Sequence, residues 1–87
     1  MYKVRLTKRA AKFYKSADAA LARRLARAFA VLESTPRQHP NIKALKGKLA
    51  GQYRYRVGDY RIVYRIQDDE IEVIILLVAH RGEVYDA

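Results

Sequence analysis

The dipeptide Gly58-Asp59 constrains this chain more than any other feature. It is flanked by Tyr53-Arg54-Tyr55-Arg56-Val57 on one side and Tyr60-Arg61-Ile62-Val63-Tyr64-Arg65-Ile66 on the other. A glycine-based two-residue link between alternating runs predicts a β-hairpin. Such a link also fixes register. Val57 is expected opposite Tyr60, Arg56 opposite Arg61, Tyr55 opposite Ile62 and Arg54 opposite Val63. Strand side chains alternate faces. Tyr55, Val57, Tyr60, Ile62 and Tyr64 therefore share an apolar face, while Arg54, Arg56 and Arg61 share the other with Val63 and Arg65.

The apolar face needs a covering layer, and the N-terminal third supplies it. Tyr2 to Leu6 alternates as a short strand, and Thr7 stands where a helix N-cap belongs. Residues 8–15 place Ala10, Phe13 and Tyr14 at helical spacing, and Ser16-Ala17-Asp18 gives a break and a second cap. Over about residues 18–34, Leu21, Leu25, Ala28, Phe29 and Leu32 form a core-facing stripe, with Arg23, Arg24 and Arg27 outside it. Thr35-Pro36 ends this helix, because a residue before proline disfavours the helical region. The two helices are expected to form a hairpin of their own.

Residues 37–52 read as a loop, punctuated by Pro40, Gly47 and Gly51 and pinned to the core by Leu45 and Leu49. Asp68-Asp69 reads as a second tight turn, which would set Arg65 opposite Glu72 in a cross-strand salt bridge. Ile71 to Ala79 is almost wholly apolar and β-branched, the pattern of a strand covered on both faces. Alternation from Glu72 would put Ile74, Leu76, Val78 and His80 on the arginine face. The expected class is α+β: an N-terminal strand, a helical hairpin, then a three-stranded antiparallel meander, with the helices on one face of a single sheet. At 87 residues this is one domain, 1–87.

Charge narrows the function. Lys and Arg number 18 against 9 Asp and Glu, a net +9 that favours a polyanionic partner. Cysteine is absent and His39 and His80 are far apart, so no thiol chemistry, metal site or cofactor is expected. The longest apolar run is too short to span a bilayer, and Met-Tyr-Lys-Val-Arg-Leu has no signal-peptide core. A cytoplasmic protein with no membrane partner is the expectation.

Like charges directly opposite one another weaken a sheet. Arg54, Arg56 and Arg61 on one face therefore suggest an anion between them, and guanidinium groups grip phosphate oxygens in pairs. His80-Arg81 ends the last strand, and Glu83-Val84-Tyr85 follows Gly82. Arginines, a histidine and a tyrosine suit phosphodiester cleavage in RNA, where the 2′-hydroxyl is the nucleophile. The protein then needs to activate that hydroxyl, stabilise the phosphorane and protonate the leaving 5′-oxygen.

Three segments resemble the RelE/ParE superfamily of bacterial and archaeal toxins, and more closely its RelE-type ribosome-dependent mRNA interferases. They are Leu45-Lys46-Gly47, the hairpin from Tyr53 to Tyr64, and Val78-Ala79-His80-Arg81-Gly82-Glu83-Val84-Tyr85. The resemblance implies a toxin that enters the ribosomal A site, cleaves mRNA there, and is held inactive by an acidic cognate antitoxin. It carries the family's paired basic positions onto Arg54 and Arg56, its strand arginine onto Arg61, its phosphate-stabilising arginine onto Arg81 and its late tyrosine onto Tyr85. The paired positions are often lysines in the family, and one has been given a proton-transfer role there. An arginine, always protonated, is ill suited to that role. Arg56, Arg61 and Arg81 are expected to hold the phosphate, with His80 and Tyr85 dividing the proton transfers in either order. Lys8, Arg9, Lys12, Arg23, Arg27 and Lys46 are expected to contact RNA backbone. The alternative is a ParE-like toxin that inhibits DNA gyrase without cutting RNA, since one fold serves both.

Overall fold

The two cap residues begin their helices as expected. In the computed structural model, which describes residues 1–81, Thr7 Oγ1 accepts from the Ala10 N–H at 3.2 Å and opens α1 (Lys8–Ser16). Asp18 Oδ1 accepts from the Leu21 N–H at 2.8 Å and opens α2 (Ala19–Ser34). A side-chain acceptor at this position satisfies an amide that the helix leaves unpaired, worth about 1 kcal/mol. Thr35 is the C-cap of α2, and Pro36 follows it.

The strands are β1 (Lys3–Leu6), β2 (Ile42–Ala44), β3 (Gln52–Val57), β4 (Tyr60–Gln67) and β5 (Glu72–His80). They form one mixed sheet in the order β1-β5-β4-β3-β2, with β1 parallel to β5 and the other pairs antiparallel. The architecture is α+β, two helices on one face of the sheet. The predicted loop over residues 37–52 hides an extra edge strand: β2 pairs with β3, and a 3-10 turn at Gly47–Leu49 joins them.

The β3–β4 hairpin has the register that Gly58-Asp59 dictates, from Val57 opposite Tyr60 to Arg54 opposite Val63. Of the two turn residues only Gly58 takes a positive φ, +58°, which fits a turn demanding glycine first. The helix-facing side carries the core. Leu25 and Leu32 of α2 and Ala10 of α1 are fully buried with Ile62, Tyr64, Val73 and Ile75 of the sheet. Tyr64 donates its hydroxyl to the Pro36 carbonyl at 2.7 Å, tying the sheet centre to the end of α2. Burial raises the Tyr64 phenol above its ordinary pKa.

The last two strands depart from expectation in two ways. Asp68–Glu70 forms a 3-10 turn closed by Ile71 in the left-handed region (φ +53°), so the connection is longer than a two-residue turn. Gln67 therefore opposes Glu72 and Arg65 opposes Ile74. The expected Arg65–Glu72 salt bridge gives way to Arg5–Glu72 at 3.2 Å, while Arg65 donates to Gln67 Oε1. Further along, Val63 opposes Leu77 but Tyr64 opposes Ile75. Leu76 is thus an extra residue, a β-bulge, and it shifts the parity of β5.

Candidate functional site

The outer face of the hairpin gathers the predicted arginines. Arg56 and Arg61 are directly paired beside the turn, and Arg54 lies two residues further along β3. Val63, opposite Arg54, is only 3% exposed, so this charged face has a dry apolar centre. Charge interactions there are screened less than in open water. Arg61 Nη1 donates to the Gly58 and Tyr60 carbonyls, each at 3.0 Å. Between those carbonyls, that of Asp59 accepts from the Arg81 N–H at 2.7 Å. The turn thus anchors Arg61 by its side chain and Arg81 by its backbone, and Arg81 itself is exposed. Arg54 contributes a different feature. Among the described residues, its Nε is a buried side-chain nitrogen with no hydrogen-bond partner. Such a donor carries a desolvation cost until an acceptor arrives.

His80 does not join these arginines. The bulge at Leu76 puts His80 opposite Tyr60 and Val78 opposite Ile62, which is the helix-facing side. Its ring meets Tyr60 edge-on, with centroids 5.6 Å apart, and Tyr60 in turn meets Phe13 of α1 at 5.9 Å. The expected placement of Val78 and His80 on the arginine face is therefore corrected: one inserted residue exchanges the faces beyond it. Tyr85 lies outside the described residues.

The residues expected to contact RNA backbone divide among several surfaces. Arg9 and Lys12 line a groove of about 390 Å³ with Phe13, Ser16, Val78 and Ala79. Arg27 lines another of about 270 Å³ between α2 and β3, with Arg24, Asn41 and Arg56 among its walls. Arg24, on the same helix face, packs against Gly58, so α2 reaches the hairpin turn. Lys8 and Arg23 are exposed on the helices. Lys46 stands between β2 and β3, at the end of β3 away from the turn.

One cation of the outer face was not anticipated. β2 places Lys43 directly opposite Arg54. Three residues between Asn41 and Leu45 carry too little pattern to announce a strand, and only pairing with β3 reveals it.

The chain matches the family model for the ParE toxin of type II toxin-antitoxin systems, parDE, over residues 4–85. Toxin RelG from Mycobacterium tuberculosis is 46% identical over 43 residues, 49% of this chain and 49% of its own length, so the match spans about half of that relative. Among solved structures, the toxin–antitoxin complex RelBE2 from Mycobacterium tuberculosis aligns with TM-score 0.80 and 34% identity, covering 92% of this chain and 98% of that one. The archaeal RelE–RelB complex from Pyrococcus horikoshii aligns with TM-score 0.77 and 31% identity, covering 95% and 98%. With arginines on one hairpin face and a family match over nearly the whole chain, this protein belongs to the RelE/ParE superfamily of type II toxin–antitoxin toxins.

Proposed function

We propose that this toxin is an endoribonuclease that cleaves mRNA in the ribosomal A site without a metal ion or cofactor. The observation that carries the reading is the arginine face. Arg56 and Arg61 stand directly opposite one another, so that one phosphate can meet both guanidinium groups. Among the described residues, Arg54 beside them holds a buried N–H with no acceptor. In this reaction the 2′-oxygen attacks the adjacent phosphorus, and the P–O5′ bond breaks through a phosphorane. The proton leaves the 2′-hydroxyl and one is delivered to the 5′-oxygen, leaving a 2′,3′-cyclic phosphate. Arg56, Arg61 and Arg81 act by stabilising charge on the phosphorane oxygens, each poised before the reaction starts. Tyr85 takes one of the two proton transfers in this scheme and solvent water takes the other. His80 is assigned none on this face, because it stands on the other side of the sheet beside Tyr60.

The antitoxin in this reading is an acidic protein that covers the arginine face, and the toxin acts in the cytoplasm. Two solved relatives are toxin–antitoxin complexes, which supports the partner class. The deciding experiment supplies purified toxin to programmed ribosomes and maps the mRNA ends. Cleavage leaving a 2′,3′-cyclic phosphate or 3′-phosphate is the expected result. Intact mRNA together with inhibited gyrase supercoiling would overturn the reading in favour of a gyrase inhibitor.

A further inference from the structure

Two like-charge pairs stand side by side on the outer face. Lys43 of β2 opposes Arg54 of β3, and Arg56 of β3 opposes Arg61 of β4. The pairs are offset by two residues along β3, about 7 Å, and by one strand, about 5 Å. They form a diagonal cationic strip that runs from the hairpin turn to the sheet edge. Among the described residues neither Lys43 nor Arg54 has a carboxylate partner. On the same face Glu72 is engaged by Arg5, several residues further from the turn.

An edge-strand lysine ordinarily keeps other strands from adding to the sheet. That role needs only exposure and charge. It gives no reason to place the lysine opposite an arginine whose Nε, among the described residues, is buried without an acceptor. A single phosphate at Arg56 and Arg61 does not account for this second pair either. A polyanion with charges at a regular backbone spacing does, and single-stranded nucleic acid is such a polyanion.

We propose that Lys43 and Arg54 form a second phosphate subsite, which holds the RNA phosphodiester next to the one bound at Arg56 and Arg61. The inference rests on the RNA-cleaving reading above and extends it to the path of the strand, from the turn toward β2. Arg54 supplies a guanidinium charge directly beside Lys43. Lys43 supplies an exposed charge at the edge where the strand leaves the protein. Lys43 positions substrate and takes no part in bond breaking.

The test compares the full-length toxin with Lys43→Gln and Lys43→Arg. Lys43 is exposed on a short edge strand, so neither change disturbs the core. In programmed ribosomes Lys43→Gln should raise KM several-fold with kcat unchanged, and Lys43→Arg should restore KM. Replacing the flanking phosphodiester with an uncharged methylphosphonate should raise KM for the wild type and leave Lys43→Gln unaffected. A second arm needs no chemistry: binding of a short single-stranded RNA, followed by fluorescence anisotropy against salt. There the slope of log K against log salt should fall by about 0.7 in Lys43→Gln, the value for one single-strand phosphate. If the wild type binds RNA but does not cut it, the cleavage reading fails and this arm still decides the subsite. An unchanged salt slope overturns the subsite. So does a Lys43→Gln variant that binds and cuts RNA normally but loses affinity for the antitoxin, which would assign the strip to a protein carboxylate.

Discussion

The Thr7 hydroxyl donates a hydrogen bond to the Leu76 carbonyl at 3.0 Å while accepting from the Ala10 N–H. The same residue donates its backbone N–H to Ile75 at 3.0 Å. Leu76 is the residue that the β4–β5 register skips. One threonine therefore starts α1 and holds the bulge that sends His80 to the helix side of the sheet.

Removing that hydroxyl should cost more than an ordinary cap. Thr7→Val keeps the shape and loses both side-chain bonds, so a loss of about 1–3 kcal/mol is expected. Thr7→Ser should recover most of it. Urea unfolding of the three proteins checks this, and equal midpoints for Thr7→Val and wild type would contradict the linkage.

The arginine face and the helix face should respond differently in cleavage assays. Arg81→Ala is expected to lower kcat on the order of 10²-fold, the loss typical of a removed transition-state donor. His80→Ala should leave kcat close to wild type, since its ring rests on Tyr60. A large loss from His80→Ala with an intact fold would return the histidine to the catalytic group.

Asp68 gives a pH signature. It accepts from Arg37 at 2.8 and 3.3 Å and from the Tyr2 hydroxyl at 2.9 Å, joining the chain start, the residue after Pro36 and the β4–β5 turn. The hydrogen bonds from Arg37, and then that from Tyr2, hold its carboxyl below the usual range. The carboxylate is the form favoured in the folded protein. Its contribution is therefore complete above the ordinary carboxylate pKa and disappears as pH falls through the lower, folded value. The urea-midpoint gap between wild type and Asp68→Asn should be open near neutral pH and narrow as pH falls below the ordinary carboxylate pKa of about 4. A gap that stays constant over that range would show that the charge is not responsible.

Ile71 should be improvable. A β-branched residue at φ +53° pays a steric penalty, and this one is 55% exposed, so burial returns little. Ile71→Asn is expected to raise stability by about 1 kcal/mol, read as a higher melting temperature. A lower one would mean that the side chain makes a contact worth more than the strain.

Tyr64→Phe tests the core in the opposite sense. It leaves the Pro36 carbonyl without its donor at a buried site, and a loss of about 1–3 kcal/mol in urea unfolding is expected. No loss would mean that another donor, or water, reaches that carbonyl.

Local chemistry alone determined much of this protein. Gly58-Asp59 set the β3–β4 register and so the shared face of Arg54, Arg56 and Arg61, because a two-residue turn leaves no freedom in the pairing. Thr7 and Asp18 set the helix starts, because a cap acts within three residues. The tertiary structure decided what depends on distant partners. Residues 42–44 became a strand only against β3, and that pairing brought Lys43 to Arg54. β5 is apolar on both sides, so its sequence holds no record of which residue faces which way. Its parity was set by a bulge at Leu76, bonded to Thr7 from 69 positions away, and that single inserted residue separated His80 from the arginines.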